Sequence, residues 1–272
     1  SPAALRALLD RAERLGLTLS RVPRLTELRS GLNDRVQIKP IAIEDLLGRP
    51  EAGLDRAGMA DLCRGARVLV TGAGGTIGSE LVRQISNFAP SHITLVDNAE
   101  LHLYQIDLEL SERHQGLSRA TVMADVRDPE RIRGIFADQS PDLVFHAAAM
   151  KHVPMVEMNP VEGVLSNVQG TRNVADASVE FGVRTMVLIS TDKAVNPTNV
   201  MGATKRIAES YCQALDIQTA RLGSGATRFV TVRFGNVLGS TGSVVPLFQR
   251  QLAAGVPLTV THPHVTRYFM TC

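Results

Sequence analysis

Past Gly65, short β-branched and aliphatic runs at Val68–Thr71, Ile93–Asp97, Thr121–Ala124, Leu143–His146, Thr185–Ser190 and Val230–Phe234 alternate with stretches of helical period. A chain that repeats strand, helix, strand has few ways to fold. Strands joined by helices lie parallel, and a parallel sheet is covered by helices on both faces. Such strands read as unbroken apolar runs, as Val68-Leu69-Val70 and Met186-Val187-Leu188-Ile189 do. The expectation is an α/β fold built on a doubly wound parallel sheet that takes up most of the 272 residues, with no internal repeat of fixed period.

Composition narrows the partners. Hydrophobic residues make up 44% and charged residues 21%, which excludes a disordered tail, and the net charge of +2 offers no basic field for nucleic acid. Any anion must therefore be gripped locally. Cys63, Cys212 and Cys272 stand far apart without the paired spacing of a zinc site, so free thiols in a reducing compartment and no metal are expected. No run approaches the ~20 apolar residues of a membrane span. Near the start, Ser1-Pro2 signals a helix whose Leu5, Leu8, Leu9, Ala12 and Leu15 share a face, while Arg6, Asp10, Arg11, Glu13 and Arg14 make the other face too mixed for a membrane surface. From Val36 to Gly65 the pattern is broken by Pro40, Gly48, Pro50 and Gly53, leaving Ile43–Leu47 as one helical turn at most.

Between the first strand and the next helix runs Thr71-Gly72-Ala73-Gly74-Gly75-Thr76-Ile77-Gly78. Gly72, Gly75 and Gly78 permit a tight turn, close approach of a pyrophosphate to the backbone, and a helix that begins against the strand. A glycine triplet alone is a weak sign. Here it is answered by Asp97 at the end of the second strand, placed to accept hydrogen bonds from ribose hydroxyls and to repel a 2′-phosphate, which favours NAD over NADP. The plainer role for Asp97 is to cap the helix that begins near Ala99. Thr76, Ile77, Val126, Ala147 and Ala148 complete the expected cofactor surface, and Asp125 either caps a helix or sits beside the adenine.

Past the fifth strand come Ser190-Thr191-Asp192-Lys193, and Met201-Gly202-Ala203-Thr204-Lys205 opens the following helix. Groups just beyond the carboxyl ends of parallel strands line the ligand crevice, and positions 201 and 205 share one helical face. The layout resembles the extended short-chain dehydrogenase/reductase family, where that face carries Tyr-x-x-x-Lys. Met201 occupies the tyrosine slot, and a thioether takes no proton. Asp192 and Lys193 are the adjacent groups able to replace it.

The strings His146-Ala147-Ala148-Ala149-Met150-Lys151-His152-Val153-Pro154, Asn167-Val168-Gln169-Gly170-Thr171, Ser190-Thr191-Asp192-Lys193-Ala194-Val195-Asn196-Pro197 and Val232-Arg233-Phe234-Gly235-Asn236-Val237-Leu238-Gly239-Ser240 narrow the match. Over about residues 35 to 272 the chain resembles the bacterial polysaccharide-biosynthesis UDP-N-acetylglucosamine 4,6-dehydratases, of the membrane-attached type with Met in place of Tyr. That resemblance implies a Rossmann-like fold and a redox-neutral reaction. Carbon 4 of the sugar is oxidised, a base takes the carbon 5 proton, water leaves carbon 6, and the hydride returns to carbon 6 with retention at carbon 5. Lys193 is the expected carbon 5 base, Asp192 the acid, and Lys205 the holder of nicotinamide ribose. The base for the carbon 4 hydroxyl stays open among Thr191, a water near Lys205, and ionised Asp192.

Lys151, His152, Asn236 and Arg267 are the expected substrate contacts, and Asn167 is read as structural. His262 and His264, bracketing Pro263, suggest a turn. The expected domains are a helical or linker extension at 1–64, an NAD-binding domain at 65–235, and the start of an incomplete substrate-binding region at 236–272. The opening Ser1 and the stop at Cys272 read as cuts from a longer chain. The resemblance places this portion on the cytoplasmic side of the bacterial inner membrane, in a membrane-attached homo-oligomer. A nucleotide-sugar 4-epimerase and a silent NAD-binding scaffold are the rival readings.

Overall fold

In a computed structural model, residues 8, 11, 12, 14, 15, 17, 20, 21, 39, 40, 55–221, 223, 225–238, 244–260 and 268–270 are described. The chain divides into two compact units, Ser1–Leu54 and Asp55–Met270. In the first, Ser20–Arg21 pairs antiparallel with Lys39–Pro40, and Leu8, Arg11, Ala12 and Arg14 are helical. Ala12 is buried, but Leu8 and Leu15, expected on the packed face, are exposed. Leu5, Leu9 and the Ile43–Leu47 turn lie outside them.

Among the described residues the main sheet of the second unit has six strands, β1 (Arg67–Thr71), β2 (His92–Asp97), β3 (Arg119–Met123), β4 (Leu143–His146), β5 (Thr185–Thr191) and β6 (Arg228–Phe234). All pairs are parallel, in the order β3-β2-β1-β4-β5-β6. Strand order reverses between β1 and β4, the crevice position of an open α/β sheet. Alternation along each strand feeds two cores. Leu69, Val144, Met186 and Leu188 pack with Phe136, Val174 and Ala208 on one face, whereas Val68, Val70, Ile93 and Leu95 pack with Val82, Ile85, Leu103 and Ile106 on the other. The doubly wound expectation holds, because each sheet face needs its own helical layer.

The helices are α1 (Arg56–Cys63), α2 (Thr76–Ser86), α3 (Glu100–Arg113), α4 (Pro129–Gln139), α5 (Val153–Met158), α6 (Pro160–Val164), α7 (Gly170–Glu180), α8 (Val200–Ala220) and α9 (Val244–Ala253). Helix α1 falls in the stretch where periodicity was uninformative. Its signal was local, since Asp55 accepts from the Gly58 N–H at 2.9 Å as an N-cap. Cys63 carries α1 into the core, so the sheet unit begins at Asp55. A two-residue strand, β7 (Asn236–Val237), pairs parallel with β8 (Phe269–Met270).

His146 ends β4 fully buried between two threonines. Thr171 Oγ1 already donates to the Asn167 carbonyl at 2.7 Å, so it accepts from His146 Nε2 at 3.0 Å, and Thr71 donates to Nδ1 at 2.6 Å. The imidazole is neutral. Burial, helped by the Lys205 charge, pushes its pKa down to about 3 from 6.5. A folded-state pKa below the unfolded one adds stability that is fully present above about pH 6.5 and lost as pH falls toward 3. Urea denaturation between pH 7 and 4 is therefore expected to show a steeper loss in the parent than in His146→Gln; equal slopes would remove His146 from the acid response.

Candidate functional site

The glycine loop crosses the carboxyl edge of the sheet where β1 meets β4. Gly72 has φ +68°, and a Cβ there would meet the Ala148 backbone nitrogen at 2.6 Å. At Gly78 a Cβ would fall 1.9 Å from the Gly72 carbonyl oxygen. Both positions exclude any side chain. The loop thus lies against the β4 turn, and α2 starts directly beneath it. No side chain caps α2, so the amides of Thr76, Ile77 and Gly78 face outward as the unpaired donors of a helix start.

Two clefts adjoin at this loop. The smaller, about 240 Å³, is bordered by Gly72, Gly75, Asp97, Asp125, Val126, Ala147 and Ala148, bringing together seven expected cofactor residues. Asp97 accepts from the Gly74 N–H at 2.8 Å and from the Ala99 N–H at 2.9 Å. The second bond closes the turn ahead of α3 rather than capping the helix, whose first turn has no side-chain cap, and each carboxylate oxygen keeps a further lone pair for a ligand. Asp125 pairs with Arg127 at 2.6 Å, and that guanidinium holds its carboxyl below the usual range.

The larger cleft, about 680 Å³, is bordered by Gly75–Gly78 on one side and by Lys151, His152, Thr191, Lys193, Met201, Lys205 and Asn236 on the other. Met201 and Lys205 both lie on the cleft face of α8, 3% and 4% exposed. Lys205 donates to the Ile189 carbonyl at 2.7 Å, and burial pushes its pKa down to about 8. Lys193 Nζ donates to Asp192 Oδ1 at 3.0 Å and to Asn236 Oδ1 at 2.9 Å. Asp192 does not border the cleft; it reaches it through Lys193 and through the Thr191 hydroxyl, which donates to it at 3.0 Å. Close packing sets this turn against α8, since a Cβ on Gly202 would meet the Lys193 carbonyl oxygen at 2.3 Å.

Arg267, His262 and His264 lie outside the described residues. Asn167 holds the Met150 backbone from both sides, at 2.8 and 3.0 Å, and reaches Thr204 at 3.0 Å, from a π-helical turn at Leu165–Gln169. It is structural, as its sequence context suggested. Sequence reasoning missed Glu209, 4% exposed, which accepts from Ser190 at 2.5 Å and from Arg233 at 2.8 and 2.5 Å. Burial alone would raise its pKa, yet Arg233 and Ser190 hold it below the usual value. The spacing of Lys205 and Glu209, one helical turn apart, was the available signal. The apolar walls at Met150, Met155, Val156 and Phe234 also went unread.

The cradle fits a dinucleotide. Backbone approaches where no Cβ is tolerated, free helix-start amides and an acidic rim suit a pyrophosphate and an adenosine. A model of the polysaccharide biosynthesis protein family matches residues 68–272, and the chain belongs to that family. It is 48% identical to the capsular polysaccharide biosynthesis protein CapD of Staphylococcus aureus over 94% of this chain and 42% of CapD. A UDP-N-acetylglucosamine 4,6-dehydratase (inverting) of Campylobacter jejuni is 38% identical, covering 76% of this chain and 60% of the relative. A UDP-glucose 4-epimerase of Rickettsia typhi is 37% identical over 75% and 58%. The crystal structure of Pen from Bacillus thuringiensis superposes with a TM-score of 0.69 at 35% identity, over 76% of this chain and 64% of that one. The chain spans less than half the length of CapD.

The buried Lys205 amine makes a pH prediction. Its pKa is about 8 folded against 10.5 ordinarily, so stability should rise as pH goes from about 8 to about 10.5 and the penalty should be fully present below 8. Replacing Lys205→Met should remove that rise in urea denaturation; an unchanged slope would show that the amine is not buried as a cation.

Proposed function

We propose that this chain is the catalytic portion of a nucleotide-sugar 4,6-dehydratase that uses NAD and acts on UDP-N-acetylglucosamine for bacterial surface polysaccharide synthesis. One observation carries the reading. Thr191, Lys193, Met201 and Lys205 border a single cleft that opens on the glycine loop, and Asp192 is hydrogen-bonded to Lys193.

When bound, NAD supplies an acceptor that takes the hydride from carbon 4 and returns it to carbon 6. The chain's own groups handle protons. Lys193 and Asp192 stand as an ion pair with side chains 24% and 30% exposed; loss of one ammonium proton to solvent leaves the neutral amine that takes the carbon 5 proton and later returns one there, while Asp192 receives the carbon 4 hydroxyl proton through Thr191 and hands it back by the same hydroxyl to the carbon 6 hydroxyl that leaves as water. Asn236 orients the amine. With Met201 unable to accept a proton, the Thr191 hydroxyl and its bond to Asp192 offer the path for the carbon 4 hydroxyl proton. Lys205 holds nicotinamide ribose, and Asp97 with the α2 amides holds adenosine and pyrophosphate. The acidic rim favours NAD over NADP.

Residues 65–235 serve as the cofactor domain and 236–272 as the start of the sugar-binding region, supported by Asn236 and Val237 on the cleft wall. Lys151 and His152 at the mouth suit the substrate's anionic and hydroxyl groups. No helix among the described residues is long and apolar enough to cross a membrane. Attachment of the parent protein to the cytoplasmic side of the inner membrane belongs to the same reading, through the resemblance of its motifs.

The rival 4-epimerase needs no carbon 5 base, and Lys193 on the cleft, paired with Asp192 behind it, favours the dehydratase. Incubation with UDP-N-acetylglucosamine in heavy water is expected to give a 4-keto-6-deoxy sugar, deuterated and of retained configuration at carbon 5. A 4-epimer, or unchanged substrate, would overturn the reading. Lys193→Ala should keep NAD bound and lower turnover by roughly 10²–10⁴-fold; retained turnover would remove Lys193 from the proton path.

A further inference from the structure

Three elements supply the groups around the larger cleft. The tip of β5 carries Thr191-Asp192-Lys193, the end of β6 leads into Asn236, and the first turns of α8 carry Met201 and Lys205. One buried carboxylate, Glu209 on α8, touches both strands. Its Oε1 accepts from Ser190, the residue just before Thr191, at 2.5 Å. Both oxygens accept from the Arg233 guanidinium, three residues before Asn236, at 2.8 and 2.5 Å. Arg206 adds a bond at 3.3 Å from the exposed side.

We infer that Glu209 is a positioning residue that clamps the tips of β5 and β6 to α8 and so sets the distance between the Asp192–Lys193–Asn236 group and the Met201–Lys205 face. Charge and shape both matter. A bidentate guanidinium–carboxylate pair fixes orientation as well as distance, and it is strongest where water is excluded. An amide of the same shape accepts on one side only, and its nitrogen faces the Arg233 donors. Ser190 and Arg233 are register partners on adjacent strands, and Glu209 adds the tie from that pair to the helix layer.

The kinetic arm of the test rests on the dehydratase reading; the exchange arm does not. Three amides report on the clamped segments: Val195 N–H bonded to the Asp192 carbonyl, Asn236 N–H to Tyr268, and Leu238 N–H to Met270. In Glu209→Gln, hydrogen exchange at these three is expected to quicken at least about 10-fold, as local opening requires, while the Ile93 amide, bonded to Ser118 at the far side of the sheet, keeps its rate. Uniform acceleration would mean general destabilisation, and no acceleration would mean no clamp; either overturns the inference. Should Glu209→Gln not fold, Ser190→Ala cuts the β5 link alone and should quicken Val195 but not Asn236. For turnover, Glu209→Gln should lower kcat by roughly 10- to 100-fold with KM for the UDP-sugar nearly unchanged. An active parent whose kcat survives the change overturns the clamp, whereas a parent without dehydratase turnover overturns the functional reading and leaves exchange to decide this one.

Discussion

Parallel strands can be joined only by crossovers, so every strand of this sheet ends at the same edge. That constraint gathers residues far apart in the chain. Asp97 closes β2, the Ala147–Ala149 turn follows β4, Thr191 closes β5 and Asn236 follows β6, and all of them border the two adjoining clefts. Where the strand order reverses between β1 and β4, flanking turns separate and leave room for a ligand.

Within that geometry the notable feature is where charge is tolerated. Lys205 and Glu209 are both almost fully buried on α8, a placement that costs several kcal/mol per ion unless partners compensate. Glu209 is compensated by Arg233 and Ser190, whereas Lys205 donates to the Ile189 carbonyl. The pKa directions follow, since Glu209 stays a carboxylate while Lys205 is drawn down to about 8. Met201 keeps the wall beside Lys205 apolar, while Asp192 and Lys193 on the neighbouring strand tip retain access to solvent.

Much of this was legible before any coordinates. Parallel-sheet strands announce themselves as continuous apolar runs because both faces are covered; Leu143–His146 is observed as expected and four more strands differ only at their ends, while Thr121–Ala124 shifted toward Arg119–Met123 because β3 is an edge strand, only partly buried. Glycines at 72 and 78 were legible because no other residue fits such contacts. Helix α1 was not, since a cap and a single buried cysteine leave little periodic signal.

Local chemistry thus determined the strand and helix sequence, the phosphate-type loop, and which titratable residues stand just past strand ends, all of which depend on neighbours within a few positions. Tertiary structure alone decided that Asp192 reaches the cleft through Lys193 and Thr191, that Asp97 divides its carboxylate between the glycine loop and the turn ahead of α3, and that Glu209 joins α8 to two strands. Hydrogen bonds depend on position to within a fraction of an ångström, and residues 24 apart, such as Glu209 and Arg233, acquire such positions only when the intervening helix and strand pack.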